Sequence, residues 1–261
     1  MKNYLFILLI CLGCASKKEI VVPKFESKIV SNEKLSCRAI FVDTDKVWLG
    51  MDKGRYGFYD KKKDTLVVKT IQSVSNTTEF RSIAATKDAI FILAVGNPAK
   101  LIKIDKKSLQ ETIVYQEENE KVFYDSMQFV DNLNGFAMGD PTEDCLSFIK
   151  TTDGGNSWEK ISCANFPKVS EGEAAFATSN TNLIVKGKSI FMVSGGKKSR
   201  VFVSLDFGTS WQVYETPIVQ SEEMTGIFTA DFYNDKTGII AGGNYLKQTQ
   251  NWSNKAITTN G

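Results

Sequence analysis

The stretch Thr151-Thr152-Asp153-Gly154-Gly155-Asn156-Ser157-Trp158 decides the fold, because it returns as Ser204-Leu205-Asp206-Phe207-Gly208-Thr209-Ser210-Trp211 with hydroxyl, Asp, Gly and Trp at matching offsets. Each copy reads as a hairpin turn. The Asp side chain can accept backbone N–H groups two residues on, and the Gly supplies the positive φ that a tight turn demands. The Trp then gives the outgoing strand a large apolar anchor. Weaker copies lie upstream at Tyr59-Asp60-Lys61-Lys62-Lys63 and Ile104-Asp105-Lys106-Lys107-Ser108, and Thr258-Thr259-Asn260-Gly261 opens a further one. The Asp or Asn positions are 60, 105, 153, 206 and 260, at spacings of 45, 48, 53 and 54 residues.

Within each period the order of elements repeats. A first strand is expected at Cys37–Val42, Phe80–Ala84, Tyr124–Phe129, Glu173–Ala177 and Gly226–Ala230, and a second follows, as in Ile90–Ala94 and Gly135–Gly139. A third leads into the Asp turn, as in Arg200–Ser204, and a fourth leaves it, as in Trp211–Tyr214. These runs are short, rich in β-branched and aromatic residues, and bounded by Gly, Asp, Asn and Lys. A period of about 40–50 residues with four short strands is that of a propeller blade. The expected fold is therefore all-β: a β-propeller of four-stranded antiparallel blades, with about five blades near 36–70, 79–115, 123–163, 172–215 and 225–261. The last repeat stops before its Trp and fourth strand. That is expected of a ring truncated at its C-terminus, with a small five-bladed ring as the alternative.

The 261 residues carry 32 basic and 30 acidic side chains, a formal charge of +2 that gives no reason to expect a nucleic-acid partner. There is no histidine, which removes Ser–His and Cys–His catalysis and His-ligated metals, and neither a metal nor a cofactor is expected. Met1-Lys2-Asn3 followed by an apolar run from Tyr4 to Gly13 reads as an export signal, too short to span a membrane as a mature helix. Leu12-Gly13-Cys14-Ala15-Ser16 resembles a bacterial lipobox, with Cys14 as the acylated N-terminus, although Cys11 stands where a Leu is typical. The alternative is a plain secretory signal cut nearby. Both readings make the protein exported, and the first makes it a membrane-anchored lipoprotein with residues 14–31 as tether and 32–261 as propeller. Cys145 and Cys163 lie symmetrically about Gly154, so a two-stranded ladder can set them face to face for a disulfide. A one-residue slip in register, or reduction, leaves them free.

The two full turns match the Asp-box, or BNR repeat, of sialidase-like and sortilin-like β-propellers. Further along, Phe80-Arg81, Gly139-Asp140-Pro141, Gly172–Ala177, Gly195-Gly196, Arg200-Val201-Phe202, Gly226-Ile227-Phe228 and Gly242–Tyr245 occur in order. On these segments the chain resembles exported bacterial BNR-repeat propellers, many of them lipoproteins. It is similar to photosystem II stability/assembly factor-like proteins and to the sortilin N-terminal propeller. The resemblance implies a propeller. The oxidoreductase and glycosyl hydrolase labels carried by such proteins find little here, since no Gly-x-Gly-x-x-Gly follows a strand.

In similar propellers the Asp-box turns lie at the blade edge, so Asp153, Gly155, Trp158, Asp206, Gly208 and Trp211 read as structural. The residues opening the first strands are Arg38, Arg81, Asp125, Glu173 and Gly226, and innermost strands would set these around the mouth of the central channel. With Asp140 and Glu171 from neighbouring loops they can bind a polar ligand or a partner's charged segment, or simply pair and solvate the channel. Gly195-Gly196 with Arg200 is a weaker candidate for cradling an anion. A sialidase site needs three arginines, a Tyr–Glu nucleophile pair and an acid/base Asp, whereas the only arginines are Arg38, Arg55, Arg81 and Arg200. The functional expectation is an exported, non-catalytic scaffold that presents a ring face to a protein or glycan partner. The rival is a glycoside hydrolase using channel-face carboxylates, which would need a carboxyl pair of raised pKa in a shared cleft.

Overall fold

A computed structural model describes residues 24–176 and 180–261. The stretch read as an export signal, Cys14 and the first part of the expected tether lie outside the described residues.

Five antiparallel sheets follow one another along the chain. The first contains β1 (Cys37–Val42), β2 (Lys46–Met51), β3 (Arg55–Asp60) and β4 (Thr65–Thr70). The second contains β5 (Phe80–Ala85), β6 (Ala89–Ala94), β7 (Ala99–Asp105) and β8 (Glu111–Glu117), and the third β9 (Tyr124–Phe129), β10 (Gly135–Gly139), β11 (Ser147–Thr151) and β12 (Glu159–Lys160). Two-residue β13 (Glu173–Ala174) precedes the fourth sheet, which contains β14 (Leu183–Lys186) and β15 (Ser189–Val193), then β17 (Arg200–Ser204) and β18 (Gln212–Glu215). The short β16 (Gly195–Gly196) joins β13 to the fifth sheet, made of β19 (Thr225–Phe232), β20 (Gly238–Asn244) and β21 (Lys255–Thr258).

In the first four sheets the order places the first strand at one edge, in the fifth β19 is flanked there by β16, and these strands pack against one another from β1 through β5, β9 and β14 to β19. Separate apolar cores fill each gap between consecutive sheets: Trp48 with Ile90, Phe91 with Tyr124, Phe148 with Met192, and Phe191 with Phe232. This is a β-propeller, in which each sheet buries both faces only by having neighbours. Among the described residues no such core joins the fifth sheet to the first. Ile40 and Val42 of β1 remain 60% and 65% exposed, and the directly paired Ile239 and Ile257 of the fifth sheet 44% and 72%. The ring is open on that side.

The Asp turns close β11–β12 and β17–β18. Asp153 Oδ1 accepts the N–H groups of Asn156 (2.9 Å) and Ser157 (3.0 Å), and Oδ2 accepts the Ser157 hydroxyl (2.7 Å). Thr151 Oγ1 donates to Asp153 and accepts the Gly155 N–H. Asp206 repeats the pattern with Ser204, Thr209 and Ser210. The accepted N–H groups are thus three and four residues on, one and two residues further than the local Asp–backbone rule suggests. Asp60 and Asp105 instead accept the N–H groups two and three residues on, from Lys62 and Lys63 and from Lys107 and Ser108. Each box Trp bridges blades: Trp158 lies edge-on to Phe91 and Phe129, and Trp211 against Phe148 and Phe166.

Two local readings are corrected. Cys145 and Cys163 are disulfide-bonded, but not across the ladder. Ile149 faces Lys160, one residue off the symmetric register, and neither cysteine lies in β11 or β12: the bridge joins Cys145, ahead of β11, to the 3-10 turn Cys163–Asn165 that follows β12. The first strand of the fourth repeat is not a continuous run from Glu173. Glu173 and Ala174 pair with Gly196 and Gly195, the chain leaves the sheet, and the inner edge resumes at Leu183 against Met192.

Candidate functional site

Antiparallel order fixes which loops share an end of the propeller. First strands begin at the end that also carries the loops between second and third strands, while the Asp turns and the turns between first and second strands lie at the other.

At the strand-start end the predicted residues separate into three groups. Arg38 is exposed and stands apart. Glu173 is buried and fully engaged: Oε1 accepts the Ser194 hydroxyl (2.6 Å) and Arg200 Nε (2.8 Å), and Oε2 accepts the Ser170 N–H (2.8 Å) and Arg200 Nη2. Arg200 Nη2 also donates to the Lys168 carbonyl (2.9 Å). This pair closes a loop onto the sheet. Gly195-Gly196 is strand rather than an anion cradle, and the Arg200 guanidinium that was to complete the cradle is spent on Glu173.

The third group is Arg81, Asp125 and Asp140. Arg81 donates from Nε (3.1 Å) and Nη2 (2.9 Å) to Glu79 and lies 5.8 Å from the Phe123 ring centre. Asp125 has no exposed surface and neither carboxyl oxygen has a hydrogen-bond partner. Burial, followed by the nearby charge of Asp140, pushes its pKa well above the usual carboxylate range, with Arg81 pulling the other way. Asp140 is half-buried and accepts the Ala175 N–H (2.8 Å), and burial raises its pKa to about 6. The sequence expectation of a raised carboxyl pair for a hydrolase is therefore met in protonation but not in access, because Asp125 is sealed.

After Ala174 the chain leaves the sheet. Phe176 packs edge-on to Phe228 of the fifth sheet. Asn180 then bonds across the axis: its amide donates to the Ile83 carbonyl of the second sheet (3.0 Å) and accepts the Met127 N–H of the third (3.1 Å), and its carbonyl accepts the Ser126 hydroxyl (2.8 Å). Thr181 reaches the fifth sheet, its hydroxyl 2.6 Å from that of Thr229. Asn180 and Thr181 thus cross the axis as a strap between the second, third and fifth sheets. The polar run Asn180-Thr181-Asn182, ill-suited to a core strand, was the available signal for it.

Three of the four guanidiniums, those of Arg55, Arg81 and Arg200, are already bonded to Asp52, Glu79 and Glu173. A three-arginine carboxylate site is not assembled. Glu143 and Asp144 approach the Cys163 sulfur, but that sulfur is committed to the disulfide, which leaves two exposed carboxylates and no ligand set.

A cavity of about 300 Å³ lies between the fourth and fifth sheets, lined by Phe191, Val203, Tyr214, Phe232 and Ile257, and three more lie toward the opposite end. One of about 490 Å³ occupies the channel below the strap, between Ile40, Phe41, Ala85, Phe129 and Ile184. A second of about 550 Å³ shares Phe41, Ala85 and Phe129 with it and runs out over the turns at Thr44, Thr86 and Asn132. A third of about 300 Å³ shares Thr86, Lys87 and Asn132 and ends at the Asp153 turn. Together they form one groove from the axis to the rim.

No protein-family model and no curated protein matches the chain. Solved structures do. The chain is similar to "Structure of U3-55K" (TM-score 0.59, 11% identity, covering 84% of this chain and 64% of that one). It is similar to "YCF48 bound to D1 peptide" (TM-score 0.55, 12% identity, 86% and 67%) and to a chain of "Crystal Structure of Mitotic Checkpoint Complex" (TM-score 0.58, 9% identity, 83% and 60%). The chain thus spans about 60–67% of the length of these structures. At such identities the likeness shows the propeller fold alone.

Proposed function

We propose that this propeller is a non-catalytic scaffold that holds a protein partner, exported and tethered to a membrane through Cys14. The observation that carries the reading is the sealed carboxyl pair. The one place where two carboxyls of raised pKa come together leaves Asp125 without exposed surface, and Arg81, Glu173 and Arg200 are each paired within the chain. What is left accessible is rigid surface, which suits recognition rather than turnover. The similar fold described as bound to the D1 peptide supports a role in holding an extended segment of another protein.

The test is chemical cross-linking in native membranes with the full-length protein as bait, followed by mass spectrometry. A discrete protein partner, still recovered with Glu173→Gln, is the expected result. Glycan partners remain a second reading only through Asp125 and Asp140. Hydrolysis of a panel of aryl glycosides, abolished by Asp140→Asn, would overturn the scaffold and install the hydrolase.

A further inference from the structure

The cavity between the fourth and fifth sheets has walls that recur between the second and third. There Phe91, the third residue of β6, meets Phe129, the last residue of β9 and opposite Gly135, with ring centres 4.7 Å apart. Phe191, the third residue of β15, likewise stacks on Phe232, the last residue of β19 and opposite Gly238, at 3.8 Å. Leu93 faces Leu101 two residues beyond Phe91, and Val193 faces Val201 two residues beyond Phe191. The third strands correspond too. Gly135 faces Thr151 and Gly238 faces Thr258, and the Thr258 hydroxyl donates to Asn260 Oδ1 (3.3 Å) as that of Thr151 does to Asp153.

Between the second and third sheets the Trp158 indole lies edge-on to both rings. Between the fourth and fifth the same place is the cavity of about 300 Å³. The polar side chains on its wall are engaged within the chain: Tyr214 donates to Gln212, Glu215 accepts from Lys198, Thr216 donates to the Ser199 carbonyl, and Thr258 is held by its own turn. The rest of the lining is aromatic, aliphatic or glycine. It suits an indole, which is what its counterpart holds.

An unpaired strand edge runs beside it. β12 covers the outer side of β11 and β18 that of β17, but among the described residues no strand lies beyond β21. The Asn254 carbonyl accepts the Gly242 N–H from β20, so alternation along the strand turns the peptide groups of Lys255 and Ile257 outward. The Phe148 carbonyl of β11 faces outward in the same way and accepts the Ile161 N–H.

We propose that this edge and cavity together bind an extended segment of a partner protein that opens on a tryptophan. The segment pairs antiparallel with β21 as β12 pairs with β11, a register that places Trp158 opposite Thr151 and so the partner's indole opposite Thr258, against Phe191 and Phe232. The site continues the apolar interface between the fourth and fifth sheets, and its occupant copies the one that completes the interface between the second and third. This assignment rests on the scaffold reading and locates its working edge.

The experiment titrates a fluorescein-labelled peptide of residues 156–162, the chain's own tryptophan-led strand, with the full-length protein by anisotropy. Saturable binding is expected, weakened by about tenfold or more when the peptide carries Trp158→Ala. In the protein, Ile257→Pro removes an outward N–H at a 72% exposed position and leaves the β20–β21 ladder bonds in place, so it should weaken binding as much with the circular dichroism unchanged. Ala256→Phe, which fills the cavity, should do the same, and Arg38→Ala should have no effect. No saturable binding, or binding that survives Trp158→Ala in the peptide or Ile257→Pro in the protein, would overturn the site. Self-association of the protein abolished by Ile257→Pro would assign the edge to a second copy and overturn the partner strand. A partner cross-linked in native membranes and retained with both Ile257→Pro and Ala256→Phe would overturn the site and leave the scaffold standing.

Discussion

Gly155 of the first Asp turn is pressed against the ring of Phe91 in the preceding blade: a Cβ at this position would stand 2.3 Å from Phe91 Cε1. The turn glycine is required twice, by its φ of 75° and by the neighbouring blade. Its counterpart Gly208, at φ 78°, has its nearest such contact at 3.3 Å, on Phe148. Gly155→Ala should therefore cost about 2–3 kcal/mol and Gly208→Ala about 1 kcal/mol, read from urea midpoints. Equal costs would mean that backbone conformation alone sets the requirement.

The Glu173–Arg200 pair should behave as structure. Arg200→Met leaves a buried carboxylate without its cation and should destabilise by about 3–5 kcal/mol, whereas the double variant Glu173→Met/Arg200→Met should recover much of the loss. Chemical denaturation of the three variants gives the coupling. Additive losses would show that the two side chains act independently.

Asp140 gives a pH signature. Its folded pKa of about 6 stands above the ordinary carboxylate value, so between about pH 4 and 6 the folded state holds more protons than the unfolded. Stability should fall as pH rises through that window, by on the order of 2–3 kcal/mol, and Asp125 shifts in the same direction. Asp140→Asn keeps an acceptor for the Ala175 N–H and should flatten the decline. Parallel pH–stability curves for variant and parent would refute the assignment.

The Asp turns carry the opposite sign. Burial raises the Asp153 pKa, yet the Ser157, Thr151 and Asn156 bonds outweigh it and hold the value near 2; the Ser210 bonds lead in holding Asp206 near 2. The stabilisation from these turns is complete above about pH 4 and is lost as pH falls from there toward 2. Asp206→Asn should make the thermal midpoint less sensitive to acid in that range, and an unchanged acid limb would argue against it.

Removing the disulfide by Cys145→Ala/Cys163→Ala releases a closed loop spanning 18 residues and should cost about 2–4 kcal/mol. Denaturation with and without a reducing agent checks this, since only the parent should respond.

The blades were legible because a turn imposes local chemistry. Asp153 and Asp206 must meet N–H groups within four residues, and Trp158 and Trp211 must follow at a fixed offset, so the pattern survives in one dimension. The site was not legible in the same way. Aligning Glu173 with Arg38 and Arg81 assumed an unbroken first strand, yet the chain departs after Ala174 and its charge is turned inward to Arg200. Asp125 and Asp140 come together within one sheet, but that Asp125 has no exposed surface is set by packing that no local pattern in the sequence carries. The groove was missed altogether, because Ile40, Lys87 and Asn132 come from three repeats and none belongs to a motif.

The strap also changes how the molecule can come apart. In an array where each unit touches only its neighbours, stability is a sum of adjacent terms and units can peel from an end. Asn180 ties the fourth blade to the second as well as the third, and Thr181 ties it forward to the fifth. A stack of sheets with such a tie is no longer a chain of independent links: losing any one of these four blades loosens the knot that the others share, and unfolding becomes a collective event.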